Sequence, residues 1–464
     1  MTRLFTTGFL LWSIGCCSLS TTASESVRSL DAPSVGETLE DFLSAAIEYS
    51  PRLRIALENF NIGGARERQA RAQLLPQVRA NANLTDNRRN SLNLIGNPML
   101  EEFEGERYSV TLTQALFNWQ AWSARKRASF LEDRAEAEYF YELAFLLTDV
   151  ADRYLNVLQS QDALTSIASE LEAVSNQLDQ IQSLYSLQLA QITDLRQAEA
   201  SLTSVQAEQL RLQAELAINE EFLRSVTGIE IGRLNVLNRE VTLPAADEDL
   251  QHWVELAEDN NQQIRAQRYA LRAAEEFIAE SKGAYMPQVN VIAQHLDSNI
   301  GFDNRFLGQT DTTFLGVDVS IPIFAGGANR ARVSEARSQR SIAESELRQT
   351  ELEANEQVRS AYLQVQSSAL LTEAATRLVE STRLSSEAMQ QGYELGTVTT
   401  VDVLNALRDQ FQAERDLQSA RYEHIKFLLL LKREAGVLDA QDMLEVGNWL
   451  VEPESNQESS DLGL

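Results

Sequence analysis

The feature that most constrains the fold of this chain is an internal repeat. A Pro-Gln-Val triplet at Pro76 recurs at Pro287, 211 residues later, and Gly228 recurs at Gly436, 208 residues later. Landmarks that keep their order and spacing over most of a chain indicate a duplicated structural unit. The 464-residue chain is therefore predicted to be a tandem repeat of one helix, hairpin, long helix and helix unit.

Each copy contains two segments in which apolar and polar residues alternate. This period of two is typical of β-strands that bury one face. It predicts strands at about 77–86 and 107–117 in the first copy, and at about 288–297 and 312–324 in the second. The polar residues 87–106 are interpreted as an extended outer loop of the first hairpin.

Long helical patterns surround the hairpins. Between about residues 118 and 185, apolar residues recur at three-and-four spacing. At 1.5 Å per residue such a helix would be about 100 Å long, which no compact domain needs. Similar patterns run from about 329 to 389 and from about 401 to 433, and indicate coiled-coil packing in an elongated molecule.

These patterns divide the chain into five predicted parts. They are a signal peptide (1–23), a first repeat (24–228), a linker or equatorial region (229–250), a second repeat (251–436) and an equatorial and acidic tail (437–464) that is disordered after Trp449.

The N-terminus is typical of a secretory signal, with Arg3, an apolar run and small residues ending at Ala23. The main prediction is cleavage after Ala23. Ser13-Ile14-Gly15-Cys16 also resembles a lipoprotein processing site, so lipidation of Cys16 is the alternative. The two cysteines are both in this leader, which leaves the body of the chain without a disulfide or a thiolate metal site.

Composition excludes several functions. The formal charge of -28 disfavours nucleic-acid binding, which needs clustered lysine and arginine. The sequence has no nucleophile elbow, no phosphate-binding loop and no metal-spaced histidine or cysteine cluster. We therefore predict no enzymatic activity, no cofactor and no metal.

The predicted strands raise the question of a membrane. Four strands cannot close a barrel, and an open sheet in lipid would leave its edge groups without hydrogen bonds. Several protomers would have to pool their strands, with Tyr108, Phe117, Tyr285, Phe314 and Phe324 near the strand ends as an interfacial aromatic belt. The alternative is a soluble sheet with these aromatic residues in its core.

A short break separates the last two long helical patterns. Gly392 and Gly396 allow one helix to stop, Thr399 or Thr400 can cap the next, and Asp402 lies in its first turn. On these residues alone, the segment is a corner between two helices.

Several motifs occur together in order. They are the Leu-Pro-Gln and Met-Pro-Gln turns, the segments 109–117 and 321–327, and Tyr393-x-x-Gly396-Thr397-x-Thr399-x-Val401-Asp402-Val403-Leu404. From about Thr38 to Gly436 the chain resembles the TolC family of outer-membrane channel proteins. The resemblance implies an α+β membrane protein whose tandem-repeat protomer combines long coiled-coil helices with four membrane β-strands.

The resemblance also implies partners. Family members form a homotrimer, in which the strands make a β-barrel in outer-membrane lipid and the helices make an α-helical tunnel across the periplasm of a Gram-negative bacterium. They serve as exit ducts for drugs or secreted proteins, joined to a periplasmic adaptor (membrane fusion) protein and an inner-membrane ABC or RND pump. The competing interpretations are a periplasmic coiled-coil adaptor or scaffold and an enzyme.

The family's equivalents of Asp402 and Asp194 lie at the closed periplasmic end of the tunnel. The resemblance therefore implies an acidic ring of three Asp402 side chains at this entrance, and the alternative is a helix cap. Tyr393, Thr397 and Asn405 are assigned to the same gate.

Three positions depart from the family pattern. The best-known member has arginine where Val398 stands and a second aspartate where Asn405 stands, so the charged link and the second ring are in doubt. Gln188 occupies the first-repeat position of Gly396, which favours a different turn at that corner.

Overall fold

The computed structural model describes residues 35–452, except 93–95, 97, 239–240, 247 and 302–305. The predicted signal peptide, Cys16 and the tail after residue 452 lie outside the described residues.

The helices follow the same order in both repeats. The first repeat contains α1 (Leu39–Tyr49), α2 (Pro51–Ala72), α3 (Trp119–Ser186) and α4 (Ile192–Thr227). The second contains α5 (Leu250–Asn260), α6 (Gln262–Gly283), α7 (Ala328–Glu394) and α8 (Thr400–Glu434), followed by α9 (Ala440–Asn448). With 68 and 67 residues, α3 and α7 are each about 100 Å long.

Local signals in the sequence explain where the short helices begin and end. Thr38 and Asp41 form a capping box at α1, and α2 begins at Pro51 with Ser50 as its cap. Asn261 performs the same task in the second repeat, where its side chain accepts a hydrogen bond from the backbone of Ile264.

The strands form one large sheet and two small ones. They are β1 (Val35–Gly36), β2 (Gln77–Leu92), β3 (Pro98–Phe117), β4 (Glu230–Ile231), β5 (Val236–Leu237), β6 (Gln288–Ile300), β7 (Phe306–Ser320) and β8 (Leu450–Val451). The large sheet is antiparallel with the order β2-β3-β6-β7. Both β2 and β7 are therefore edge strands of the protomer.

The predicted loop at 87–106 was wrong, because most of it is strand. Arg88 pairs with Glu102 and Arg89 with Glu101 across β2 and β3. The side chains of Arg88 and Glu102 form an ion pair at 2.6 Å. Here the ladder is supported by opposite charges across the strands rather than by alternating apolar residues, so the period-two signal is missing.

The last strand also has different limits. It was predicted at 312–324, and β7 spans Phe306–Ser320. Pro322 has no backbone N–H to donate to a ladder, which is consistent with an earlier end.

Because the strands are longer than predicted, the aromatic belt changes. Tyr108 and Phe314 lie inside β3 and β7 rather than near their ends. Phe117, Tyr285 and Phe324 remain at the end of the sheet that joins the helices, and all three are exposed. Of the five residues predicted to form the belt, these three keep a position at the helix-proximal end of the sheet.

The helices continue the order of the sheet. Contacts join α2 to α3, α3 to α6 and α6 to α7, which gives the row α2-α3-α6-α7 beneath β2-β3-β6-β7. Farther from the sheet, α3 pairs with α4, α7 pairs with α8, and α8 also contacts α3.

The main core lies at the middle of the molecule, where the short elements surround the long helices. Phe42 packs edge-to-face on Tyr154, with ring centroids 5.6 Å apart. The Tyr154 hydroxyl donates toward the Glu37 and Asn235 carbonyls at 3.2 Å. Burial raises the pKa of this phenol.

The tail is ordered farther than predicted. Disorder was expected after Trp449, yet Leu450 pairs with Leu237 and Val451 with Val236 in the small β5–β8 sheet. Leu450 is buried in the main core, so apolar burial holds this end of the chain.

Among the described helices, none combines the length and apolarity required to cross a lipid bilayer.

Candidate functional site

The candidate site consists of two helix corners, one in each repeat. The first corner joins α3 to α4 and the second joins α7 to α8. Each has only a few residues between long helices, so local hydrogen bonds fix its shape.

The two corners turn in the same way. At the second corner Gly396 N–H donates to the Tyr393 carbonyl at 2.9 Å, and at the first Gln188 N–H donates to the Tyr185 carbonyl at 2.9 Å. The backbone φ is 72° at Gly396 and 63° at Gln188. The expectation that glutamine would change the turn was wrong, because Gln188 adopts the same left-handed conformation.

Gly392 and Thr397 close the second corner. Both the backbone N–H and the hydroxyl of Thr397 donate to the Gly392 carbonyl, at 2.9 and 3.0 Å. A Cβ on Gly392 would lie 2.6 Å from a methyl group of Val398. Gly392 is therefore needed for close approach, and Val398 packs against the corner where the best-known family member has an arginine.

Asp402 caps α8. Its Oδ2 accepts hydrogen bonds from the Thr399 hydroxyl at 2.6 Å and from the Thr399 backbone N–H at 3.1 Å. The Asp402 N–H donates back to the Thr399 hydroxyl oxygen at 3.3 Å. Hydrogen bonds from the Thr399 hydroxyl and backbone lower the pKa of this exposed carboxyl. The helix-cap interpretation is thus observed in the protomer.

Asp194 occupies the equivalent position at α4. Its Oδ2 accepts a hydrogen bond from the Gln191 backbone N–H at 3.3 Å, as Asp402 does from the Thr399 backbone N–H. Thr399 and Gln191 are therefore equivalent cap residues, although glutamine is an unusual choice there.

The remaining predicted gate residues do not form one cluster within the protomer. Tyr393 is half-buried, and Asn405 is exposed one turn after Asp402. In the part of the chain that the structure describes, no hydrogen bond or ion pair joins the first corner to the second. Among the described residues, Tyr393 and Asp194 are not joined by a hydrogen bond.

Apolar contacts bring the corners to the same end of the molecule. Leu404 of α8 belongs to a buried cluster with Ile181 of α3 and Ala198 of α4. The two corners are therefore neighbours, and the second is held against the first coil by burial of leucine.

Sequence reasoning missed a row of polar contacts between α3 and α8, which we call the α3–α8 ladder. Its pairs are Arg433–Thr148 at 3.0 Å, Lys426–Asn156 at 2.5 Å, Tyr422–Asp162 at 2.7 Å, Ser419–Gln159 at 2.9 Å and Arg415–Glu170 at 2.7 Å. On α8 most of these residues recur at three-and-four spacing, so they share one face. That spacing was present in the sequence, but it did not identify the partner helix.

The described residues contain no group of three or more histidine, cysteine, aspartate or glutamate side chains arranged to hold a metal ion.

Comparison with known proteins agrees with this geometry. The model of the outer membrane efflux protein family matches residues 42–229 and 253–433. The chain belongs to that family. It is 26% identical to the outer membrane protein TolC of Vibrio cholerae, over 91% of this chain and 96% of that protein. It is 24% identical to the alkaline protease secretion protein AprF of Pseudomonas aeruginosa, over 87% and 85% of the two chains.

Solved structures share the fold. The crystal structure of the outer membrane protein VceC from Vibrio cholerae superposes with a TM-score of 0.74 at 19% identity, covering 86% of this chain and 96% of that one. The predicted fold class is therefore confirmed. The chain is an outer-membrane channel component of an export system of a Gram-negative bacterium, and the adaptor alternative has no support.

Proposed function

We propose that this chain is a passive trimeric exit duct of a tripartite export system, without catalytic activity, gated at the two helix corners. The observation that carries the proposal is the open sheet of the protomer. Among the described residues, no strand pairs with the outer side of the edge strands β2 and β7. In lipid each free edge N–H or C=O would cost several kcal/mol, so the sheet needs neighbouring copies to close it.

Ring closure is supported by a second pair of unmatched edges. At one end of the helix row, α2 exposes Ile62. At the other end, α7 exposes Leu352, Leu363 and Leu370 on one face. Two different apolar edges on one protomer suit a head-to-tail contact, and such contacts close into a ring when the rotation permits.

The corners are proposed as the periplasmic entrance. They lie at the ends of the long helices, on the side away from the sheet. Exposed Asp402 from three protomers would place like charges in a narrow mouth, which attracts cations. The carboxylate performs the cap at the same time, because the cap hydrogen bonds reach one of its two oxygens.

The partners proposed are a periplasmic adaptor and an inner-membrane ABC or RND pump, which would supply the energy. The family is that of outer membrane efflux proteins, whereas the relative AprF is a protease secretion protein, so the similar proteins differ in what they export. A duct lies downstream of substrate choice, so the exported substrate follows from the pump rather than from this chain.

Three measurements test the proposal. Purified full-length protein should run as a heat-resistant trimer and conduct ions after insertion into a planar lipid bilayer. Cross-linking in cells, followed by mass identification, should recover an adaptor and a pump with it. Monomeric protein that conducts nothing would contradict the duct, and recovery without either partner would contradict the tripartite assembly.

A further inference from the structure

The α3–α8 ladder ends at Arg415 and Glu170, and this last pair differs from the others. Here two oppositely charged side chains are in direct contact and both are well buried. The exposed fraction of the side chain is 13% for Arg415 and 4% for Glu170. The distance from Arg415 Nη1 to Glu170 Oε2 is 2.7 Å. A carboxylate this deeply buried depends on its cation, because water does not replace it.

Arg415 makes a second hydrogen bond within its own helix. Its Nη2 donates to Gln412 Oε1 at 3.0 Å in α8. The guanidinium is therefore held on α8 while it pairs with Glu170 of α3, and it joins a helix of the second repeat to the coil of the first.

Below this pair, α8 has no polar connection to the first coil. From Thr400 to Arg415 the helix is about 22 Å long. Within the described residues, no hydrogen bond or ion pair of 400–414 reaches α3 or α4. The apolar side chain of Leu404 makes the connection there, in the cluster with Ile181.

This arrangement divides α8 into a part from Arg415 onward that polar contacts join to α3, and a part next to the corner that apolar contacts join to the first coil. An apolar contact has no preferred direction, whereas a buried, hydrogen-bonded ion pair is held in one geometry. We propose that Arg415–Glu170 is the fulcrum that positions the second corner. It is a positioning pair, and its functional role rests on the proposed function of the corners as the entrance.

The mechanism follows from the burial of Glu170. Without the guanidinium, the buried carboxylate has to be hydrated. Hydration requires α8 to separate from α3 at this level, and the movement is carried to the corner by the rigid helix. Removing both charges together abolishes the need for hydration.

The test measures the distance between the two corners in full-length trimers. The chain has no cysteine after Cys17, so spin labels at Arg196→Cys on α4 and Arg408→Cys on α8 report this distance by double electron–electron resonance. Both positions are exposed. Single-channel conductance in planar bilayers is recorded on the same variants without labels.

Arg415→Gln is expected to broaden the distance distribution, shift it to longer values and raise the conductance several-fold. Glu170→Gln keeps an acceptor, so a smaller broadening is expected. Arg415→Met combined with Glu170→Met should restore a narrow distribution. Arg383→Gln, which breaks an exposed ion pair on α7 nearer the corner, is the matched control and should change neither measurement.

An unchanged distribution in Arg415→Gln would overturn the fulcrum. So would a double variant as broad as the single one, since lost packing rather than unpaired charge would then be the cause. Conductance in the unmodified protein separates the two proposals. If the unmodified protein conducts and Arg415→Gln changes nothing, the fulcrum is contradicted and the duct is not. If the unmodified protein does not conduct, the duct itself is contradicted.

Discussion

At the scale of single residues, Asp402 has a structural role and a proposed functional one. It caps α8 through Thr399, and its carboxyl is exposed in the protomer. Since the cap hydrogen bonds are accepted by one carboxylate oxygen, an amide can replace the cap without replacing the charge. The two roles can therefore be separated by substitution.

Asp402→Asn and Asp402→Ala are both expected to weaken block of the channel by multivalent cations added from the periplasmic side. Only Asp402→Ala removes the side-chain acceptor, so only this variant should also lower the thermal stability of the trimer. Bilayer recordings and circular dichroism measure the two effects. Unchanged block in both variants would remove the acidic ring.

The same carboxyl predicts a pH dependence. Its pKa in the folded protomer is lowered from the ordinary value of 3.8, so the cap stabilises α8 above that pH and is lost as the pH falls through the lowered pKa. Cation block that depends on Asp402 should accordingly persist from neutral pH to about pH 5. If the unmodified protein loses the block between neutral pH and about pH 5, the ring of like charges raises the pKa of Asp402 more than the cap lowers it.

At the scale of elements, the two corners have one geometry built from different residues. Gly396 reaches its positive φ without strain, whereas Gln188 pays a steric penalty of roughly 1 kcal/mol for the same conformation. The first corner is therefore the more strained of the two.

Gly396→Ala is expected to lower the stability by about 1 kcal/mol, and Gln188→Gly to leave it unchanged or raise it slightly. Thermal denaturation of the purified protein measures both. Gly316→Ala is the control, because Gly316 has no positive φ and open space around its Cβ position. Equal effects of the alanine at positions 316 and 396 would contradict the role of the left-handed turn.

A latch between corners belongs to the same scale. No hydrogen bond joins Tyr393 to Asp194 among the described residues, so the latch between them stays a prediction. Tyr393→Phe combined with Asp194→Ala is expected to make the channel leakier, measured as greater entry of large antibiotics into cells at equal protein levels. Arg383→Gln, which breaks an exposed ion pair within α7, is the control and should leave antibiotic entry unchanged. Unchanged susceptibility of the double variant would count against the latch.

At the scale of the whole molecule, the protomer is incomplete at both of its edges. Leu370 is 68% exposed on the apolar face of α7, and Leu187 at the first corner is 67% exposed. Leu370→Asp should abolish most of the heat-resistant trimer on a gel, because a charge would be buried in the proposed head-to-tail contact between protomers, here called the seam. Leu187→Asp has the same chemistry and exposure outside that seam, and its trimers should survive. Equal loss in both variants would contradict the seam.

The sequence by itself determined the repeat, the long helices, the strand pairs and the corners, because these depend on periodicity and on caps within a few residues. It did not predict the end of β2 after residue 86 or the start of β3 before residue 107. In these parts of the hairpin, opposite charges across the strands replace the alternation of apolar and polar residues. Nor did it reveal that Gln188 turns like Gly396, since the corner is closed by backbone hydrogen bonds that do not depend on the side chain.

Only the tertiary structure paired Arg415 with Glu170, which are 245 residues apart in the chain. The two side chains meet because the repeats pack against each other, and no local pattern specifies which helix faces which. Burial then decides the importance of the pair, since the same two residues at the surface would contribute little.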